Sequence, residues 1–298
     1  YEVENGWLGA PHFRRNNQAG FIEGRWQPVP RLTANAGIRF EDNDSFGTRG
    51  VPRGGAAYRL RSGGDVWGAT QLRFAFGLGI KEPSLIQSFS ANPFFLGNPN
   101  LRPERSRTFS SGVEQRFVSN RLLLTVDYFD NHFRDIISFG RSTFFNTDLA
   151  RARGLNLAVD ARARRWLRLA GSYSYDDGRV LRSPNTLDPA AIAGNRLLRR
   201  PVHSGNLTVH AAFARMNWNL AGYFSGERTD SDTFTAPGVA RNPGYARLDL
   251  AGSYALRPRM SLFGRIENLT DKHYQEAIGY PALGRDFRVG MKYTFGGE

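Results

Sequence analysis

Ten residues near the C-terminus, D-F-R-V-G-M-K-Y-T-F from Asp286 to Phe295, constrain the fold more than any other stretch. Phe287, Val289, Met291, Tyr293 and Phe295 share one side of an extended chain, with Asp286, Arg288, Lys292 and Thr294 on the other. Successive Cβ atoms of a strand point to opposite faces, so a period of two marks a strand with one apolar face. The pattern recurs in Leu72, Phe74, Phe76, Leu78 and Ile80 against Gln71 and Arg73. It returns in Leu122, Leu124, Val126 and Tyr128 against Thr125 and Asp127, and in Leu248, Leu250 and Tyr254 against Arg247, Asp249 and Ser253. Helical spacing is not sustained over any long segment. The reading predicts about thirteen strands, near 18–27, 30–41, 50–61, 66–78, 106–118, 121–139, 142–163, 165–177, 200–212, 214–226, 244–255, 258–269 and 284–295. Many exceed the roughly 9–11 residues with which a tilted strand crosses a bilayer.

The connections alternate in length. They are short at Pro28-Val-Pro30, Ser62-Gly-Gly-Asp65, Ser119-Asn120, Arg164, Ala214 and Arg257-Pro258. They are longer at 42–49, 79–105, 178–199, 227–243 and 270–283, with a modest turn near 140. Short turns on one side and long loops on the other are the asymmetry of an outer-membrane barrel, whereas a soluble all-β protein has no reason to keep its long loops at one end. Trp26, Trp67, Trp166 and Trp218 all lie at or near short turns, where an indole with an apolar body and a polar N–H suits the membrane interface. Tyr175, Tyr223, Phe224 and Tyr245 are expected at the opposite rim.

Composition closes other routes. The 298 residues are 40% hydrophobic, enough for a folded chain, and contain no cysteine, so disulfides and thiolate metal sites are excluded. No apolar run reaches the roughly 18 residues of a transmembrane helix. The formal charge of +13 is spread along the chain without any recognisable nucleic-acid-binding motif, so no nucleic-acid partner is expected. His12, His132, His203, His210 and His273 lack metal-ligand spacing. Gly171-Ser-Tyr-Ser-Tyr has no strand-turn-helix setting for a nucleophile, and Asp176-Asp177 reads as a solvated strand end rather than a calcium site. The expectation is a protein that is not an enzyme, with no cofactor, metal or catalytic residue.

Two loop segments carry a family resemblance. Gly79-Ile-Lys-Glu-Pro-Ser84 followed by Gly97-Asn-Pro-Asn-Leu-Arg-Pro-Glu-Arg-Ser106 resembles the hallmark loop of TonB-dependent outer-membrane receptors. Within it, Pro83, Gly97, Asn98, Pro99, Leu101, Pro103 and Glu104 match the motif. Asn268-Leu-Thr-Asp-Lys-His-Tyr274 resembles the family's penultimate motif through Asn268, Leu269, Asp271 and Tyr274, and Gly284-Arg285-x-Phe287 resembles its closing one. The form I-K-E-P-S is most similar to receptors grouped with cobalamin and siderophore transporters. The matches run over 18–295. The terminal aromatic expected of the family is displaced here, since Gly296-Gly-Glu298 follows Phe295.

The resemblance implies an all-β transmembrane antiparallel barrel of roughly 22 strands closed by an N-terminal plug, of which this chain supplies about thirteen. Residues 1–298 would then be the C-terminal portion of the barrel domain, with the plug, the TonB box and the first strands missing. Counting back from a C-terminus on the short-turn side agrees, because thirteen strands place residues 1–17 on the long-loop side, whereas bacterial barrels begin and end at the periplasm. The implied function is binding of an iron-siderophore or cobalamin at the extracellular face and TonB-coupled import; the alternative is a passive pore or adhesion barrel. Implied partners are outer-membrane lipid, lipopolysaccharide, the nutrient chelate and the TonB complex, with a monomeric barrel. Loops would carry binding: Phe94, Phe95, Phe144, Phe145, Phe234 and Tyr280 as aromatic contacts, Arg200, Arg228 and Arg241 as attractors of an anionic chelate. Arg102, Glu104 and Arg105 are expected to stitch the loop to the next strand.

Overall fold

All thirteen expected strands form. The computed structural model describes residues 2–3, 13–140, 142–183, 191–231 and 238–295. Along the chain the strands are β1 (Glu2–Val3), β2 (Phe13–Arg14), β3 (Asn17–Val29), β4 (Leu32–Asn43), β5 (Gly47–Arg61), β6 (Trp67–Lys81), β7 (Glu104–Phe117), β8 (Leu122–Gly140), β9 (Thr143–Arg164) and β10 (Leu167–Arg182). There follow β11 (His203–Phe213), β12 (Met216–Ser225), β13 (Arg228–Ser231), β14 (Val239–Asn242), β15 (Tyr245–Arg257), β16 (Met260–Glu267), β17 (Gln275–Ala277), β18 (Tyr280–Pro281) and β19 (Asp286–Tyr293). Thirteen of these make one antiparallel sheet in the order β19-β16-β15-β12-β11-β10-β9-β8-β7-β6-β5-β4-β3, and the sheet does not close on itself. Two-stranded hairpins β13–β14 and β17–β18 stand apart from it within the connections 226–244 and 268–285.

The register places most of the apolar residues of the sheet on a common face. Phe76 lies opposite Phe109, Val113 opposite Val126, Leu157 opposite Tyr173, Val209 opposite Leu220, and Leu250 opposite Ile266, which in turn faces Phe287. These residues stay open to the surroundings, Val289 at 89%. Only Leu101, Ala150, Ala152, Val180, Ala191 and Tyr245 are buried hydrophobics among the described residues, and all sit in or next to the long loops. A sheet whose apolar face meets lipid needs no core at the level of the membrane. On the other face charges pair, across strands as Arg73 with Asp127 at 2.9 Å and along one strand as Arg247 with Asp249 at 2.9 Å.

Trp26, Trp67, Trp166 and Trp218 are exposed at the short-turn end, Trp67 against Phe117 at 5.1 Å and Trp166 against Phe213 at 6.1 Å. The opposite rim departs from expectation. Tyr175 and Phe224 lie on the apolar face, but Tyr223 and Tyr245 share the polar face with Arg247 and pack on each other at 5.8 Å. One residue of register separates the two faces, and an aromatic ring by itself does not say which it occupies.

The long-loop side is also more ordered than expected. The connection read over 42–49 shrinks to three residues between Asn43 and Gly47, closed by Asn43 Oδ1 accepting the Ser45 N–H at 2.8 Å. β8 and β9 meet near 140 as expected, and they run for 19 and 22 residues. At ~3.3 Å per residue and a tilt near 40°, the shorter one rises roughly 48 Å, past a hydrocarbon core of about 30 Å. A helix, α1 (Leu85–Phe89), starts at Ser84 with a reciprocal capping box to Gln87. Five residues are too few for a visible period; Ser-x-x-Gln was its one signal.

Candidate functional site

The strand ends on the long-loop side carry three clasps. The first holds the connection between β6 and β7. Gln87 N donates to Ser84 Oγ at 3.2 Å and Ser84 N to Gln87 Oε1 at 2.8 Å, so α1 begins directly after the buried Pro83. Gly97 N then bonds Ser90 O at 2.7 Å and Asn98 N bonds Gln87 O at 2.8 Å, doubling the loop back onto the helix. A Cβ at Gly97 would stand 2.4 Å from Ser90 N and 2.6 Å from Phe89 N, both backbone atoms, so this crossing admits only glycine. Asn98 Nδ2 donates to Phe144 O at 3.0 Å, and Asn146 exchanges bonds with the backbone of Arg102 at 2.9 and 3.0 Å. The loop is thereby tied to the β8–β9 hairpin. Glu104 accepts Ile137 N at 2.8 Å and Lys81 Nζ at 3.0 Å, while Arg102 pairs with Asp135 at 2.8 Å and Arg105 lies 3.9 Å away from the same carboxylate. Arg15 reaches in from the far side of the loop, near Glu82 at 3.4 Å and bonded to Ser88 Oγ at 3.4 Å.

The second clasp centres on Asp230 in β13. Its carboxylate is fully buried and accepts Arg199 Nε at 2.9 Å, Ser231 N at 2.8 Å, Ile278 N at 2.8 Å and Asn242 Nδ2 at 3.2 Å. One carboxylate thus joins three connections. Burial pushes its pKa up, but the Arg199 guanidinium, the two backbone N–H groups and the Asn242 amide outweigh that and hold it below the ordinary carboxylate range.

The third clasp orders the connection between β16 and β19. Asn268 is buried with φ +52°, a left-handed backbone that asparagine tolerates. Its side chain donates to Lys272 O at 3.0 Å and Leu283 O at 3.3 Å, and accepts Lys272 N at 2.8 Å. Asp271 Oδ1 accepts Arg285 N at 2.8 Å beside Gly284, Leu269 N donates to Leu248 O at 2.7 Å, and the Arg285 guanidinium lies over the Phe287 ring. Tyr274 stacks on Tyr245 with centroids 3.9 Å apart, and its hydroxyl accepts Arg247 Nη1 at 3.2 Å.

Against this framework the expected ligand contacts divide. Phe94 is 74% exposed on the first loop, while Phe95 packs on Phe139 at 5.4 Å, which in turn meets Phe144 at 5.0 Å. Phe145 is half-buried in the same hairpin. Tyr280 is exposed, and Arg241 reaches outward near Glu227 at 3.4 Å. Arg200 lies 3.9 Å from Asp176, and Asp177 is paired with Arg179 at 2.9 Å. Phe234 and His12 fall outside the described residues. Arg228 needs correction. Expected as a contact for an anionic ligand, it is only 3% exposed, and its guanidinium is spent on Glu276 O at 2.7 and 3.2 Å, on Gln275 O, and on Ser225 Oγ at 3.4 Å, over the Tyr245 ring. It clamps loop to loop. Asp230, Arg199, Asn242, Asn146 and Asp135 were not singled out in the sequence, because a carboxylate that gathers three loops looks locally like any other polar loop residue. Among the described residues no group of three or more His, Asp or Glu side chains is placed to hold a metal.

A membrane-spanning antiparallel sheet, apolar outside and polar inside, with short turns at one end and clasped loops at the other, defines an outer-membrane β-barrel of the bacterial cell envelope. The family model described as TonB dependent receptor-like, beta-barrel, matches residues 5–269, and the chain belongs to that family of transport receptors. Solved structures agree on the fold. The siderophore receptor PirA from Pseudomonas aeruginosa aligns with a TM-score of 0.72 at 19% identity, over 99% of this chain and 49% of its own. The ferric-catecholate import receptor Fiu from K12 E. coli gives 0.71 at 18%, over 96% and 47%. The ferripyoverdine receptor of P. aeruginosa gives 0.70 at 14%, over 94% and 38%. The chain spans half or less of the length of these receptors.

Proposed function

We propose that residues 1–298 are the C-terminal portion of the barrel domain of a TonB-dependent receptor that takes up a ferric siderophore. In this reading a plug and a TonB box lie in an N-terminal region of a longer protein, and the barrel completes itself with strands from that region. The observation that carries the cargo class is the clasped loop face. It presents exposed aromatic and cationic groups, Phe94, Tyr280, Arg241 and the half-exposed Arg200, on loops that Asp230 and Asn98 already hold in place. Preordered loops lose little entropy when a ligand docks, and guanidiniums with aromatic rings suit a negatively charged catecholate or hydroxamate chelate of iron. The printed identities of the neighbouring receptors support the same class.

The chemistry asked of this chain is recognition alone. Loop groups bind the chelate, the polar inner face offers paired charges such as Arg73–Asp127 to the plug, and release depends on energy delivered through the plug. The test is uptake of a radiolabelled ferric siderophore into iron-starved cells that depend on the full-length receptor, with and without a protonophore. Uptake that stops with the protonophore and with loss of TonB is expected. Uptake indifferent to both, together with ion conductance in planar bilayers, overturns coupling in favour of a passive pore; energised uptake of cobalamin but not of iron chelates overturns the cargo.

A further inference from the structure

The outward face of β7 to β10 changes character abruptly above the apolar belt. Ser111, Tyr128, Leu155 and Tyr175 stand opposite one another as the belt's last row. From there to the short turns, where Arg164 pairs with Leu167, this face of the four strands carries no other charged residue. The next row is Phe109, Asp130, Arg153 and Asp177, the one beyond it Arg107, His132, Arg151 and Arg179, and then come Arg105 and Arg134. Six guanidiniums and an imidazole therefore share a patch with two carboxylates. At ~4.8 Å between strands and ~6.7 Å between rows, the patch is roughly 14 Å on each side.

Both carboxylates are already engaged. Asp130 takes Arg151 through bonds of 2.8 and 2.5 Å, with His132 at 3.6 Å, and Asp177 takes Arg179 at 2.9 Å and Arg196 at 3.4 Å. Arg134 and Arg153 have no ion pair among the described residues and are exposed, and Arg107, also exposed, lies 3.5 Å from the His132 ring. Like charges gathered this closely favour an anion that bridges them, and a guanidinium fork matches a phosphate. Position chooses the anion's source. The patch begins where the tyrosines mark the outer interface, directly over the lipid-facing Val113, Val126 and Leu157, and it lies on the face of the sheet opposite to the lumen.

We propose that Arg107, Arg134 and Arg153 bind the phosphates of an outer-leaflet glycolipid of the lipid A type, whose acyl chains lie on the apolar rows beneath. The proposal rests on the outer-membrane placement and is independent of the cargo. Bisphosphorylated lipid A, and the same lipid with both phosphates removed, are titrated by native mass spectrometry into the full-length receptor in detergent. The parent is compared with an R107Q/R134Q/R153Q variant and with R121Q/R164Q/R165Q, which removes equal charge at the short-turn end. The first variant should bind lipid A at least roughly tenfold more weakly and the second as the parent does, with phosphate-free lipid about tenfold weaker on the parent. Affinity for a ferric siderophore should be the same in all three, which separates this site from the mouth. If the triple variant does not assemble, R134Q and R153Q alone should each weaken lipid A by about threefold. Equal retention by the first variant, equal binding of phosphate-free lipid, equal loss in the second variant, or full displacement by millimolar inorganic phosphate would each overturn the proposal.

Discussion

Replacing Asp230 by asparagine keeps the shape of the second clasp and removes its charge. In the parent each carboxylate oxygen accepts two donors, Arg199 Nε and Ser231 N on one, Ile278 N and Asn242 Nδ2 on the other. An asparagine amide must turn its NH2 toward one of these pairs, so two donors face a donor whichever way it flips. Arg199 is half-exposed and can turn to water, whereas the Asn242 amide is buried. A buried donor left without a partner costs about 1–3 kcal/mol, so Asp230→Asn should favour opening of the clasp by about 2–4 kcal/mol, roughly 30- to 700-fold in the local equilibrium. Hydrogen exchange of peptides covering Ser231 and Ile278 reads this directly, and those in the apolar belt should not change. The pH dependence follows from the same group. Its folded pKa lies below that of an unfolded aspartate, near 3.9, so its contribution is complete above about pH 4 and is lost as pH falls through the folded value. The parent's loops should therefore lose protection in acid, while the Asp230→Asn protein should show little change over the same range. Unchanged exchange at Ile278 in the variant would refute the idea that this carboxylate joins the three loops.

Other substitutions probe the remaining supports. Asn268→Ala leaves the Lys272 N–H and two carbonyls without their side-chain partner and should loosen 268–285 by about 2–4 kcal/mol; Asn268→Asp, which keeps the acceptor but loses the donor, should do no better, as exchange at Lys272 will show. Gly154→Ala places a Cβ 1.8 Å from Tyr175 O, forcing β9 and β10 apart at a cost of about 3 kcal/mol, visible as a loss of the heat-resistant folded band on gels. Phe95→Ala removes the packing on Phe139 and should destabilise the first loop by about 1 kcal/mol by denaturant titration, whereas Phe94→Ala, exposed already, should leave stability unchanged.

The sheet was legible because a lipid-facing strand repeats one rule at every second residue. Phe287 to Phe295 or Leu72 to Ile80 need no knowledge of their neighbours to be read, and the tryptophans at the short turns mark the same axis independently. The rim was harder. Tyr175 and Tyr223 look alike in sequence, yet one residue of register puts the first on the lipid face and the second on the inner one. Loop function was the least legible. Arg228 and Arg241 are both loop arginines, and only the fold shows that the first is buried among carbonyls while the second is 84% exposed. Motif residues such as Asn98 and Asn268 stood out through resemblance, but the contacts that give them meaning lie 46 residues away for Asn98 and up to 15 away for Asn268.

The central claim is that the clasped loops face outward and receive the ligand, while the short turns face the periplasm. The chain has no cysteine of its own, so with any cysteine of the N-terminal region replaced by serine, single cysteines report without background. Phe94→Cys and Asn120→Cys in the full-length receptor are treated with a membrane-impermeant maleimide on intact cells. The account predicts that Phe94→Cys labels at once and slows when the ferric siderophore is present, and that Asn120→Cys labels only after the outer membrane is opened. Labelling of Asn120→Cys in intact cells with Phe94→Cys protected until lysis, or labelling of Phe94→Cys that no iron chelate slows, would contradict it.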